Sequence, residues 1–197
     1  MSAGEQRGRK PRADVQRNRV ALLETAQRHF LQHGVGTSLE AVAKEAGVGP
    51  ATLYRHFPTR EALLAAVLQT RSEELVSRQA DIEQLHDPVE ALEQWLRAME
   101  DYFSAFSGLP DPLMAAARAQ EPDNPLTIPC DILISATDQY VRAAQLAGRV
   151  RASVRGHDLF LAACSVAWIK GNGTEEEPLD RLRTLIASGY RERDTQA

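Results

Sequence analysis

Aromatic side chains are scarce in this chain, 6% of 197 residues, against 43% for hydrophobic residues of all kinds. A core with so few rings and so much aliphatic material favours an Ala/Leu-rich helical protein. Cysteine is scarcer still. Cys130 and Cys164 are the two present, and on a chain of intracellular character they read as reduced thiols rather than a disulfide staple. No apolar run approaches the ~18 residues of a membrane span. The first residues are basic and polar with no apolar core, so no secretory signal is expected. There is no internal repeat and no long low-complexity run. Metal-spaced His/Cys clusters, a Gly-rich phosphate loop and a nucleophile elbow are all missing, which argues against an enzyme, a cofactor or a metal. His29 and His33 stand i,i+4, but no third ligand accompanies them, so they read as a solvated pair. The expectation is a soluble cytoplasmic protein.

What is present centres on residues 37–56, two short helical segments joined by a tight turn. Thr37 followed by Glu40 has the form of a capping box, which starts a helix. Leu39, Val42, Ala43 and Ala46 give that helix one apolar face. Gly47 sits where a positive φ is needed to end it. Gly49-Pro50 restarts the chain, with Pro50 suited to the first helical position. The second helix carries Thr52, Tyr54, Arg55 and His56 around Leu53 alone, too little apolar surface to serve a core. That is the form of a helix-turn-helix, whose second helix lies in a DNA groove while the first braces it.

Charge is divided accordingly. Residues 1–60 hold ten Lys/Arg and five Asp/Glu, a net +5, and the remainder holds thirteen and twenty-two, a net −9. A basic head on an acidic body suits a phosphate-binding module on a separate scaffold. Residues 1–14 read as an unfolded basic arm bearing Arg7, Arg9, Lys10 and Arg12. Two readings stand for it: contact with phosphates or the minor groove, or a solvated tail. A first helix is expected over 15–33, with Val20, Leu23, Ala26, Phe30 and Leu31 on one stripe.

The run from Arg19 to Leu68 resembles the DNA-binding domain of the TetR family of transcriptional regulators. The resemblance is carried by Ala26, Phe30, Gly34, Thr37-Ser38, Ala43, Ala46-Gly47-Val48, Thr52-Leu-Tyr54, His56-Phe57 and Glu61-Ala-Leu63-Leu64. Pro50-Ala51 and Arg60 depart from the usual residues there. The resemblance implies that Thr37 and Ser38 anchor phosphate at a helix N-terminus. It also implies that Pro50, Ala51, Thr52 and Arg55 face the major groove, with Tyr54, His56 and Arg60 on the DNA backbone. Among these, Arg55 alone has the chemistry for a bidentate guanine contact, while Ala51 and Thr52 suit a thymine methyl. His56 serves equally as a cap for its own helix.

The expected architecture is all-α, about nine helices in all. A helix-turn-helix domain over 15–60 is followed by a helical body over 61–197. Beyond Leu68 the family likeness is one of general plan. Helices are expected near 59–85, 88–107, 113–120, 127–147, 156–170 and from 178 onward. The richest apolar stripe runs along 88–107. By spacing it is ordinary core; by the resemblance, Trp95, Met99, Phe103 and Phe106 become candidates for the wall of an effector cavity. Arg97, Arg118, His86 and Tyr102 are possible polar handles, and none stands out. The last two helices are either buried within the monomer or, as the resemblance implies, paired with a second copy through Leu159, Phe160, Ala163, Trp168, Leu182 and Ile186. A two-fold dimer suits a palindromic operator. The function expected is a homodimeric DNA-binding regulator, a repressor released from its operator by an unidentified small, largely apolar ligand. The alternative is an architectural or co-regulatory DNA binder with no effector.

Overall fold

A computed structural model describes residues 9–192, with side chains from residue 13. Arg7 lies outside the described residues, and the side chains of Arg9, Lys10 and Arg12 do too. Among the described residues nine helices follow one another: α1 (Arg9–His33), α2 (Leu39–Glu45), α3 (Pro50–His56), α4 (Arg60–Ile82), α5 (Pro88–Ser104), α6 (Pro110–Ala119), α7 (Thr127–Leu146), α8 (Gly156–Gly171) and α9 (Glu176–Tyr190). None is long and apolar enough to cross a membrane.

The first helix begins at Arg9, so the backbone of 9–14 is helical where an unfolded arm was expected. Pro11 is tolerated because the first-turn N–H groups have no intrahelical partner to lose. Its buried face is Leu22, Ala26 and Phe30, whereas Val20 and Leu31 are exposed. The stripe is therefore shifted from the expected one.

The N-cap of α2 is Ser38 rather than Thr37. Its Oγ accepts from the Ala41 amide at 3.2 Å, and Leu39, Val42 and Ala43 face inward as the periodicity requires. Gly47 turns the chain at φ +71°. Pro50 opens α3, whose single buried residue is Leu53. Thr59 caps α4 by accepting from the Ala62 amide at 3.1 Å.

One continuous apolar core runs from Leu22 and Phe30 in the head, along Leu63, Val67 and Leu75 of α4, to Trp95, Phe103 and Phe160 in the body. The central body helix is α8, apolar on nearly every side, as a helix surrounded by neighbours must be; it packs on α5, α6, α7 and α9. Asp87 caps α5, its Oδ1 accepting from the Val89 and Glu90 amides at 2.7 and 3.2 Å. α6 and α9 begin earlier than expected, at Pro110 and Glu176, so Asp111 and Pro178 lie inside them. In α7 the inward residues are Cys130, Thr137, Val141 and Ala144. Ile132 and Leu146 are exposed despite their apolar side chains, Leu146 at 90%.

Candidate nucleic-acid interface and body cleft

The α2–α3 unit presents α3 outward. Pro50, Ala51, Tyr54 and Arg55 are exposed, Thr52 and His56 half-buried, and Leu53 and Phe57 fix the helix to the head core. Arg55 thus combines exposure with the planar guanidinium that a guanine edge requires. Tyr54 is tied sideways: its hydroxyl donates to Glu40 Oε1 at 2.8 Å. Glu40 also accepts from Ser38 Oγ at 2.9 Å. Its carboxyl is held below the ordinary range, first by its backbone hydrogen bond and then by Tyr54 and Ser38. The cap serine of α2, the Glu40 carboxylate and the α3 tyrosine therefore form one chain across the α2–α3 corner.

Thr37 is placed by His29. His29 Nδ1 lies 3.3 Å from Thr37 Oγ1, and Nε2 lies 2.8 Å from Glu45 Oε2. Arg28 donates to the other Glu45 oxygen at 2.9 Å. His29 is 7% exposed, not the solvated side chain expected, because it bridges α1 to both ends of α2. His33 is exposed beside it.

Arg60 turns inward. Its Nη1 donates to the Val35 carbonyl at 2.6 Å and to the Thr37 carbonyl at 2.7 Å. The guanidinium thus ties the start of α4 to the α1–α2 turn. Arg19 lies over the Phe57 ring at 4.7 Å, and Arg17 pairs with Asp14. Sequence reasoning missed the His29 and Arg60 placements because both depend on partners 8 to 25 residues away.

In the body, Trp95, Met99, Phe103 and Phe106 are brought together, but as packed core. All four are fully buried. Trp95 Nε1 donates to Thr137 Oγ1 at 2.9 Å, and its ring stacks on Tyr140 at 5.4 Å. Phe103 meets Phe160 edge-on at 5.4 Å, and Phe106 meets Phe30 edge-on at 5.8 Å. The effector wall expected of these four residues is instead core, formed by the inner face of α5 and by Phe106 just beyond its end. The cleft lies on its other face. It has a volume of about 800 Å³ between α5, α8 and α9, with Glu93, Leu96, Arg97 and Glu100 as its α5 wall. Leu159, Ala163 and Ile186, expected at a subunit interface, line the same cleft. Of the other residues expected at the interface, Phe160 is wholly inside the protomer, Leu182 is half-buried and Trp168 is 46% exposed.

Cys130 and Cys164 are free and buried. Burial pushes the Cys130 thiol up to about 12 and raises Cys164 as well, which disfavours the reactive thiolate.

Residues 22–67 match the family described as "Bacterial regulatory proteins, tetR family". Residues 87–192 match the "Transcriptional regulator SbtR-like, C-terminal domain". The HTH-type transcriptional regulator LmrA of Bacillus subtilis is 34% identical over 105 residues, covering 50% of this chain and 56% of LmrA. The HTH-type transcriptional regulator UidR of Escherichia coli is 31% identical over 80 residues, 40% of this chain and 38% of UidR. The chain thus spans about half or less of these relatives' length. The crystal structure of the TetR transcriptional regulator SCO0520 from Streptomyces coelicolor is 33% identical, with 88% of this chain and 98% of that one covered at a TM-score of 0.54. The chain belongs to the tetR family of bacterial regulatory proteins and is a transcriptional regulator with a DNA-binding domain, not an enzyme.

Proposed function

We propose that the protein is a homodimeric repressor that leaves a palindromic operator when a small, largely apolar ligand fills its body. The observation that carries this reading is the exposure of Pro50, Ala51 and Arg55 on a seven-residue helix whose single buried residue is Leu53. In this reading Pro50, Ala51, Thr52 and Arg55 read bases. Tyr54, His56, Thr37 and Ser38 hold phosphates, the last two at the N-terminus of α2. Arg60, expected on the DNA backbone, serves by holding the turn that carries Thr37. The backbone of Arg9, Lys10 and Arg12 extends α1.

Trp168 and Leu185, both exposed on α8 and α9, support pairing of those helices with a second copy. Two heads on a two-fold axis meet half-sites roughly 34–36 Å apart, or a multiple of one turn. A ligand that binds better to a state with mis-spaced heads shifts the population off DNA.

The packing of Trp95, Met99, Phe103 and Phe106 favours a second reading, a DNA binder with a sealed core and no effector. The 800 Å³ cleft weighs against it, because that volume suits a drug-sized ligand. The test is enrichment of the full chain on random duplex DNA followed by sequencing. A palindrome with half-sites about one turn apart is the expected outcome; enrichment without one, or only salt-sensitive binding to any sequence, overturns the repressor reading.

A further inference from the structure

The body cleft has a polarity that selects its ligand. Its floor is apolar, formed by Leu96, Leu159, Ala162, Val166 and Ile186. At one side stands Glu100, a carboxylate only 4% exposed. Arg183 Nε donates to Glu100 Oε2 at 2.8 Å, and the same guanidinium also holds Glu176 at 2.5 Å and Asp180 at 2.9 Å. Three carboxylates therefore share one cation. At the other end Arg191 is taken by Glu93, and Arg97 is exposed at the rim. A carboxylate this deeply buried, with its one ion pair shared among three acids, gains from a further cation or a proton. Burial does raise the Glu100 carboxyl above the ordinary range, against the opposing pull of Arg183.

We infer that the cleft between α5, α8 and α9 binds an amphipathic organic cation, its apolar body on Leu96, Leu159, Val166 and Ile186 and its cationic group on Glu100. The inference rests on the reading that the body takes an effector, and it fixes both the place and the charge class. An anion is disfavoured because two of the three arginines lining the cleft, Arg183 and Arg191, already carry carboxylates. A neutral apolar ligand leaves Glu100 desolvated and no better compensated than before. The cleft also has a route to the head. From Glu100 the chain runs through the last turn of α5 to Phe106 and Ser107, which touch Phe30 and Val35 of the head.

The experiment is calorimetric titration of the full chain, without DNA, with three isosteres: 4-phenylbutylammonium, 4-phenylbutanol and 4-phenylbutyrate. The cation is expected to bind at least tenfold tighter than the alcohol, and the carboxylate not at all. In Glu100→Gln, which keeps the shape and an acceptor for Arg183, the preference for the cation is expected to fall below threefold. Ala162→Trp, which fills the cleft, is expected to remove binding of both while circular dichroism and the sedimentation-derived oligomeric state stay unchanged. Equal affinity for cation and alcohol, a preference that survives Glu100→Gln, or binding that survives Ala162→Trp each overturns the inference. Loss of the dimer in Ala162→Trp overturns it too, by making the cleft a surface for a second copy. Because no step uses DNA, failure of the operator reading is seen separately in the duplex selection.

Discussion

The Val35 amide donates to the Ser107 carbonyl at 2.9 Å, so the turn between α1 and α2 hangs directly on the corner that follows α5. Gly34, at φ +75°, makes this approach possible; a Cβ there would sit 2.7 Å from the Ser107 oxygen. Gly47 has a similar φ of +71° but open space around its Cα. Gly34→Ala is therefore expected to lose more stability than Gly47→Ala, which bears only the about 1–3 kcal/mol of a strained left-handed residue. Urea denaturation of the two variants checks this. Equal losses would show that the Ser107 contact is unimportant.

Arg55 is exposed and serves no packing. Arg55→Ala is expected to leave the melting temperature unchanged. On the enriched duplex it should lose about 1–3 kcal/mol of discrimination at one guanine position, measured by titration of matched and mismatched sites.

Arg60 separates two roles that look alike in sequence. If it clamps the Val35 and Thr37 carbonyls, Arg60→Ala strands two acceptors and costs about 1–3 kcal/mol in denaturant unfolding, with Arg60→Lys recovering part. The salt dependence of DNA affinity then keeps its slope. A slope reduced by about one, without loss of stability, would mark a phosphate contact instead.

The four residues Trp95, Met99, Phe103 and Phe106 are read here as core. Phe103→Ala is accordingly expected to cost about 3–5 kcal/mol, measured by urea denaturation. A cost near zero would mean that the ring lines a void rather than filling one.

Asp87 gives a pH signature. Its carboxyl is held below its ordinary value of 3.8, mainly by the Val89 and Glu90 amides. A depressed carboxylate adds stability that is present above the unfolded value and is lost as pH falls through the lower folded value. The melting-temperature gap between the wild type and Asp87→Ala is thus expected to hold near pH 7 and to close on acidification below 3.8. Asp87→Asn, which keeps an acceptor, should narrow the neutral-pH gap and flatten this dependence.

Local chemistry was legible in the sequence and long-range partnership was not. Gly47 and Pro50 mark the turn and the start of α3 by backbone preferences that need no partner, and both stand where expected. Ser38 took the capping role from Thr37 because Thr37 was drawn to His29 across the α1–α2 turn. Periodicity found the apolar stripe of α5, but periodicity cannot distinguish a wall from a filling. The polar face that does border the cleft, Glu93, Arg97 and Glu100, looks in sequence like any solvated helix surface. On α7, Ile132 and Leu146 face outward because α5 and α8 together cover the side bearing Thr137, Val141 and Ala144.

The two faces of α5 carry a consequence for how such a protein changes over generations. Leu92, Trp95, Met99 and Phe103 hold the body together, while Glu93, Leu96, Arg97 and Glu100 border the cleft. Glu93 and Arg97 of the second set lie outside the buried core, and neither set includes a residue of α3. On the proposed effector reading, a lineage can acquire a new inducing signal by drift at a few cleft positions, keeping its genomic address while changing what it listens to.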